Sequence, residues 1–193
     1  MAHHHSHRTF PHDDDARRKW QDPEAILFEI GLEPGMVFAD IGAGGGFFAI
    51  PAACMVGERG KVYALDINAE SIGSLAEAAR TEGLGNVIAQ VGAGEDTVLC
   101  EACADVVFFG IDLHDFADAG AVLLNARAMV KPGGRLVDLD WKKEPMELGP
   151  PYEIRFDEKE AARLIVVAGF TVETIKGVGP LHYVVIARPS PDS

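Results

Sequence analysis

Val37-Phe-Ala-Asp40-Ile-Gly42-Ala-Gly44-Gly-Gly46-Phe-Phe48, followed twenty residues after Gly46 by Asp66 at the end of Lys61-Val-Tyr-Ala-Leu-Asp66, is the stretch that decides the fold. An apolar strand ends in an acid, a glycine loop lets the main chain approach a ligand, and a helix begins. A second strand then ends in a carboxylate suited to a ribose diol, which makes the whole a nucleoside-cofactor cradle. The acid at Asp40 sorts the cofactor classes. In a dinucleotide loop the helix amino terminus receives a pyrophosphate, and a carboxylate beside it repels that charge. S-adenosylmethionine has no phosphate and carries a sulfonium and an ammonium, so an acid beside its amino acid end is favourable.

Outward from this loop, the apolar runs at 36–41, 61–66, 86–91, 104–110 and 134–141 are short and rich in Val, Ile, Leu and Phe. They read as strands buried on both faces. Helical patterns lie between them: Ile72, Leu75, Ala76 and Ala79 make one apolar stripe at helical spacing. Asp22-Pro23 predicts a helix over 23–30, ended by Gly31, and Asp157 with Glu160 predicts another that ends before Gly169. Alternating strands and helices imply a parallel sheet with helices on both sides. Phe170–Ile175 and Leu181–Ile186 are joined by too few residues for a parallel return, so they form a hairpin.

These features resemble the class I S-adenosylmethionine-dependent methyltransferases, in particular the small-molecule group similar to the ubiquinone and menaquinone biosynthesis enzymes. The anchors are Asp40-Ile-Gly-Ala-Gly-Gly-Gly46, Asp66, Asp105-Val-Val-Phe-Phe leading into Leu113-His114, and Val130-Lys-Pro-Gly-Gly134-Arg-Leu-Val, within residues 20 to 188. The resemblance implies an α/β fold, a Rossmann-like three-layer sandwich whose seven-stranded, mostly parallel sheet ends in an antiparallel C-terminal hairpin. It implies S-adenosyl-L-methionine as cofactor, held by Asp40, Gly42, Ala43, Gly44, Gly46, Asp66, Ile67, Ala93, Gly94 and Glu95. One departure stands out. Relatives commonly carry an acid for the adenine amino group where this chain has Ala93, so Glu95 or Asp96 would have to substitute.

Composition bounds the rest. A chain of 193 residues, 48% hydrophobic, has apolar material for one complete core and too little length for two ordinary domains. Residues 1–19 read as a polar, histidine-rich, partly disordered lead-in with the look of an expression tag, and 20–193 as a single methyltransferase domain. Acids outnumber bases 30 to 17, and the net charge of −13 opposes loose binding to nucleic acid or anionic lipid. No run is long enough to span a membrane and no leader is evident, so the expectation is a cytoplasmic protein acting on a small molecule. The sparse set Cys54, Cys100 and Cys103 predicts reduced thiols rather than a disulfide scaffold or a metal site.

His114, after the fourth strand, is the candidate catalytic residue. It sits at the carboxyl edge where open parallel sheets bind ligands, and an imidazole suits a general base. The competing role, favoured on sequence, is a histidine that only packs or shapes the pocket. Asp112, Asp140, Trp141 and Tyr152 fall on the same edge and are candidates for lining an acceptor pocket. Gly149-Pro150-Pro151-Tyr152 has the form of a base-methylating tetrapeptide, yet it follows the fifth strand rather than the fourth, and a rigid turn is the better reading. The function expected is methyl transfer to a small-molecule acceptor. The alternative is a non-catalytic S-adenosylmethionine-binding or regulatory protein.

Overall fold

The computed structural model describes residues 14–191, and the histidine-rich tract at the start lies outside the described residues. Among the described residues, six α-helices alternate with seven strands: α1 (Asp14–Arg18), α2 (Pro23–Glu29), β1 (Val37–Ile41), α3 (Ala49–Val56), β2 (Lys61–Asp66), α4 (Ala69–Thr81), β3 (Val87–Val91), β4 (Ala104–Gly110), α5 (Ala119–Met129), β5 (Val130–Trp141), α6 (Glu158–Val167), β6 (Phe170–Val178) and β7 (His182–Pro189). Helix starts follow their caps. Asp22 accepts from Ala25 N, Asn68 from Glu70 N and Ser71 N, Asp118 from Ala121 N and Asp157 from Glu160 N. Each such cap typically contributes about 1 kcal/mol. The anticipated reciprocal capping box at Asp157 is half made, because the Glu160 carboxylate turns to Arg163 instead.

All seven strands join one sheet in the order β3-β2-β1-β4-β5-β7-β6. The pairs from β3 to β5 are parallel, and β7 runs antiparallel to both β5 and β6. The sheet is therefore mostly parallel with an antiparallel C-terminal hairpin, as expected. Strand order reverses between β1 and β4, and a crevice opens at such a switch point at the carboxyl ends of the strands. Register brings the relevant ends together: Ile41 pairs with Phe109, which pairs with Asp138.

Two apolar layers close the sandwich. Leu27, Phe48, Ala52, Val56 and Leu75 pack with Phe38, Phe108 and Leu139 on one face of the sheet. Leu123, Ala126, Ala161 and Ile165 pack with Ile41, Val107, Phe109 and Val185 on the other. Burying each large side chain of this kind is worth about 1.5–3 kcal/mol. One strand departs from expectation: β3 is the edge of the sheet, not a strand buried on both faces, and Ile88 and Val91 remain exposed.

The thiol expectation is also corrected. Cys100 and Cys103 form a disulfide, their Cα atoms 5.9 Å apart, a separation a disulfide spans. The turn that brings them together carries Ala102 at φ 44 and is held by hydrogen bonds from Ala102 N to Ala128 O and from Cys103 N to Met129 O. This bridge precedes β4 and so belongs to the amino edge of the sheet. Cys54 on α3 is a free, exposed thiol.

Candidate functional site

The glycine loop is shaped by main-chain bonds that pull it over the end of β2. Gly42 N and Ala43 N both donate to Leu65 O, and Gly44 N donates to Asp66 Oδ2 at 2.8 Å. Gly42 and Gly44 have φ of +80° and +52°, which glycine adopts without the penalty a Cβ brings. At Gly42 a side chain is excluded outright, since a Cβ there would lie 1.6 Å from Asp112 Oδ2. Asp66 also accepts from Asn68 N at 2.8 Å through Oδ1. Each of its oxygens thus keeps a second lone-pair direction for a hydroxyl.

Two further acids border the loop. Asp40 is 2% exposed, and its Oδ2 has no hydrogen-bond partner among the described residues. Burial raises its pKa to about 7; the Arg17 guanidinium and an amide from Ala49 oppose the rise, and the charge of Asp66 adds to it. Asp112 lies against Gly42 with both carboxylate oxygens buried and unpartnered among the described residues. Burial pushes its pKa far up, with Asp40, Asp140, Asp138 and Asp115 adding to the push. Buried carboxylates without donors are costly, and a cationic ligand relieves that cost. The ammonium and sulfonium of S-adenosylmethionine fit this set, and its ribose fits Asp66.

Behind this rim, His114 and Asp140 meet. His114 Nδ1 lies 2.8 Å from Asp140 Oδ1 and 2.9 Å from Oδ2, and Trp141 N donates to the same carboxylate at 2.7 Å. Burial pulls the imidazole's pKa down, but the hydrogen bond and charge of Asp140, helped by Asp115, more than offset it and leave it raised. An ionised carboxylate only accepts, so Nδ1 carries the hydrogen and Nε2 carries the lone pair in the neutral ring. Nε2 is buried without a hydrogen bond among the described residues, with Asp115 Oδ1 3.4 Å away. Two residues before Asp140, Asp138 is fully buried with both oxygens unpartnered among the described residues, and burial and the Asp140 charge raise its pKa strongly.

The segment after β5 folds around one side chain. Arg155, 3% exposed, makes five hydrogen bonds to the carbonyls of Lys142, Glu144, Leu148 and Pro150. Gly149, at φ +94°, packs so closely on Trp141 that a Cβ would meet the ring at 2.8 Å. The Gly-Pro-Pro-Tyr stretch is thus a rigid turn pinned by Arg155. Trp141 in turn packs against His182, with ring centres 4.4 Å apart, and Trp20 covers both at 5.3 and 5.7 Å. Burial and the charges of Arg17 and Lys142 lower the pKa of His182 to about 4, so it is neutral at physiological pH.

The structure brings together Asp40, Gly42, Ala43, Gly44, Gly46 and Asp66, as the sequence predicts. Ile67 follows Asp66 and is 69% exposed. Ala93 and Gly94 form the turn after β3, but Glu95 is turned away: its carboxylate accepts from Ala117 N and Asp118 N at the start of α5. Gly94 is buried, and its carbonyl, like that of Glu95, receives the Asn125 amide. Sequence reasoning missed Arg17, Asp138 and Arg155. Asp138-Leu-Asp140 did hold a signal, since acids two apart in an apolar strand share one face.

A doubly wound sheet whose switch point carries a glycine loop, a ribose-suited acid and unpartnered acids for a cation defines the class I S-adenosylmethionine-dependent methyltransferase fold. A family model for the methyltransferase domain matches residues 32–162, and the chain belongs to that family. A SAM-dependent methyltransferase from Aquifex aeolicus has a crystal structure similar to this one at TM-score 0.85 and 34% identity, over 91% of this chain and 93% of that one. The nocamycin O-methyltransferase of Saccharothrix syringae is 33% identical over 111 residues, 58% of this chain and 40% of that protein. A ubiquinone/menaquinone biosynthesis C-methyltransferase of Shewanella sp. (strain W3-18-1) is 27% identical over 119 residues, 61% of this chain and 47% of that protein. The chain therefore spans less than half the length of these two curated relatives. Among the described residues no helix is long and apolar enough to cross a membrane, and no group of three or more His, Cys, Asp or Glu is placed to hold a metal ion.

Proposed function

We propose that this chain transfers the methyl group of S-adenosylmethionine to a small-molecule acceptor held at the carboxyl edge of the sheet, with His114 as the base that takes the acceptor's proton. The bound cofactor supplies an electrophilic methyl group and leaves as a neutral thioether, so the leaving group needs no proton. Orientation of the acceptor is the protein's main contribution, worth up to about 7–11 kcal/mol. A base adds about a hundredfold or more when the acceptor holds its proton.

The observation that carries this reading is the buried His114 and Asp140 pair, 2.8 Å apart, with Nε2 left without a hydrogen bond among the described residues. A carboxylate that fixes the imidazole tautomer and leaves the lone pair on Nε2 is the arrangement a general base uses, and this supports an enzyme over a non-catalytic binding protein. Asp40, Gly42, Ala43, Gly44, Gly46, Asp66, Ile67, Ala93 and Gly94 are the proposed cofactor contacts; Glu95 serves the start of α5. The net charge of −13 supports a small-molecule acceptor over a nucleic acid. The test is incubation of the purified chain with isotopically labelled S-adenosylmethionine and a metabolite panel, with mass spectrometry reporting gain of one methyl. Tight S-adenosylhomocysteine binding with no product from any acceptor would instead favour the binding-protein reading.

A further inference from the structure

S-adenosylmethionine is zwitterionic at its amino acid end, and the acids at the glycine loop answer only half of it. Asp40 and Asp112 suit the ammonium, but once ionised against it each would repel the α-carboxylate beside it. A cation beside the glycine loop would answer the other half, and the first helix places one there. The Arg17 guanidinium stacks on the ring of Phe47, 3.8 Å from its centre, and lies 5.4 Å from the ring centre of Phe48. Phe47 directly follows Gly46, the last glycine of the loop.

The position is held from several sides. Arg17 Nε donates to Oε1 of Gln21 at 2.7 Å, and Gln21 is 2% exposed. Trp20, three residues on, stacks on His182 and leans on Trp141 at a tilt, and Arg18 bridges to Glu24 of α2 at 2.8 Å. A planar guanidinium matches a carboxylate in a two-pronged fork, a geometry for which arginine is suited and lysine is not. We infer that Arg17 binds the α-carboxylate of S-adenosylmethionine, so that helix α1 completes the cofactor site as a zwitterion clamp opposite Asp40. The charge of Arg17 also acts against the raised proton affinity of Asp40, consistent with closeness between the two. This inference rests on S-adenosylmethionine being the ligand of the glycine loop.

The test is calorimetric titration of the full chain with two ligands, S-adenosylhomocysteine and 5′-methylthioadenosine, which lacks the amino acid end. Arg17→Ala and Arg17→Gln should weaken S-adenosylhomocysteine about ten- to a hundredfold and leave 5′-methylthioadenosine unchanged. Arg17→Lys should recover only part of the loss. Equal weakening of both ligands would make α1 a mere cover and overturn the inference. So would unchanged or tighter S-adenosylhomocysteine binding, which would mean that Arg17 occupies the ligand's place. Failure of the unaltered chain to bind S-adenosylhomocysteine would defeat the cofactor reading itself, and this inference with it.

Discussion

His114 Nδ1 and Asp140 Oδ1, 26 residues apart in the chain, lie 2.8 Å apart in a buried hydrogen bond that fixes the imidazole tautomer. The bond joins the turn after β4 to the carboxyl end of β5, which are neighbours because those strands pair in parallel. It fixes the direction of Nε2, which carries the lone pair in the neutral ring and is the atom the proposed base would use.

Asp140→Asn should lower turnover about a hundredfold or more, with S-adenosylhomocysteine affinity kept. Asp140 raises the His114 pKa, so the acidic limb of the wild-type pH profile should lie above the ordinary histidine value of about 6.5 and move down in the variant. The pair's contribution to stability is fully present below about pH 6.5 and is lost as pH rises through the raised value. pH–rate profiles and melting curves across pH 5 to 9 check both.

Asp66→Ala should weaken S-adenosylhomocysteine binding by about ten- to a hundredfold, since hydrogen bonds to a charged acceptor are worth about 1.5–3 kcal/mol each. The same carboxylate holds Gly44 N and Asn68 N, so the loop should also loosen. Calorimetry measures the first effect and amide hydrogen exchange at Gly44 the second. Unchanged affinity would place the ribose contact elsewhere.

Asp40→Asn should stabilise the ligand-free protein while weakening the cofactor. The Asp40 pKa is raised to about 7, so the carboxyl adds no penalty below its unfolded value of about 3.9, costs increasing stability as pH rises from there to about 7, and costs a constant amount above. The gain should therefore grow from about pH 4 to pH 7 and then level off, at on the order of 1–3 kcal/mol. Denaturant melts at several pH values read it directly, and a gain that did not grow with pH would show that burial of the charge is not the cause.

Replacing both Cys100 and Cys103 with Ser should leave cofactor affinity intact, because the bridge belongs to the amino edge of the sheet. The loop it closes is short, so the loss of stability should be no more than about 2 kcal/mol. Chemical denaturation with and without reductant, beside a cofactor titration, tests this. A large fall in affinity on reduction would tie the bridge to the site.

Arg155→Ala should leave S-adenosylhomocysteine affinity nearly unchanged and free the loop it pins. Five hydrogen bonds to four carbonyls disappear together, at a cost of about 2–4 kcal/mol after partial hydration of those carbonyls. Hydrogen exchange over residues 142–155 should rise sharply. Arg155→Lys should rescue little, since an ammonium cannot span the same fork.

The sequence by itself determined the sheet, the glycine loop and the cofactor class, because these depend on local chemistry. Strand alternation, the short link between β6 and β7, and an acid two residues before Gly42 act within a few residues of one another. Tertiary structure alone decided what each carboxylate does. Asp66 and Glu95 look equally able to meet a ligand in one dimension, yet Glu95 is turned to the amides at the start of α5 because the turn after β3 packs there. Likewise nothing in the polar stretch before Gln21 announces that Arg17 rests on Phe47. His114 acquires its direction from Asp140 only when β4 and β5 lie side by side. The same holds for Cys100 and Cys103, whose pairing depends on a turn at Ala102 anchored to the carbonyls of Ala128 and Met129 at the end of α5. Local pattern sets which elements form; the meeting of distant side chains in a low-dielectric interior sets which of them bear charge, donate or accept.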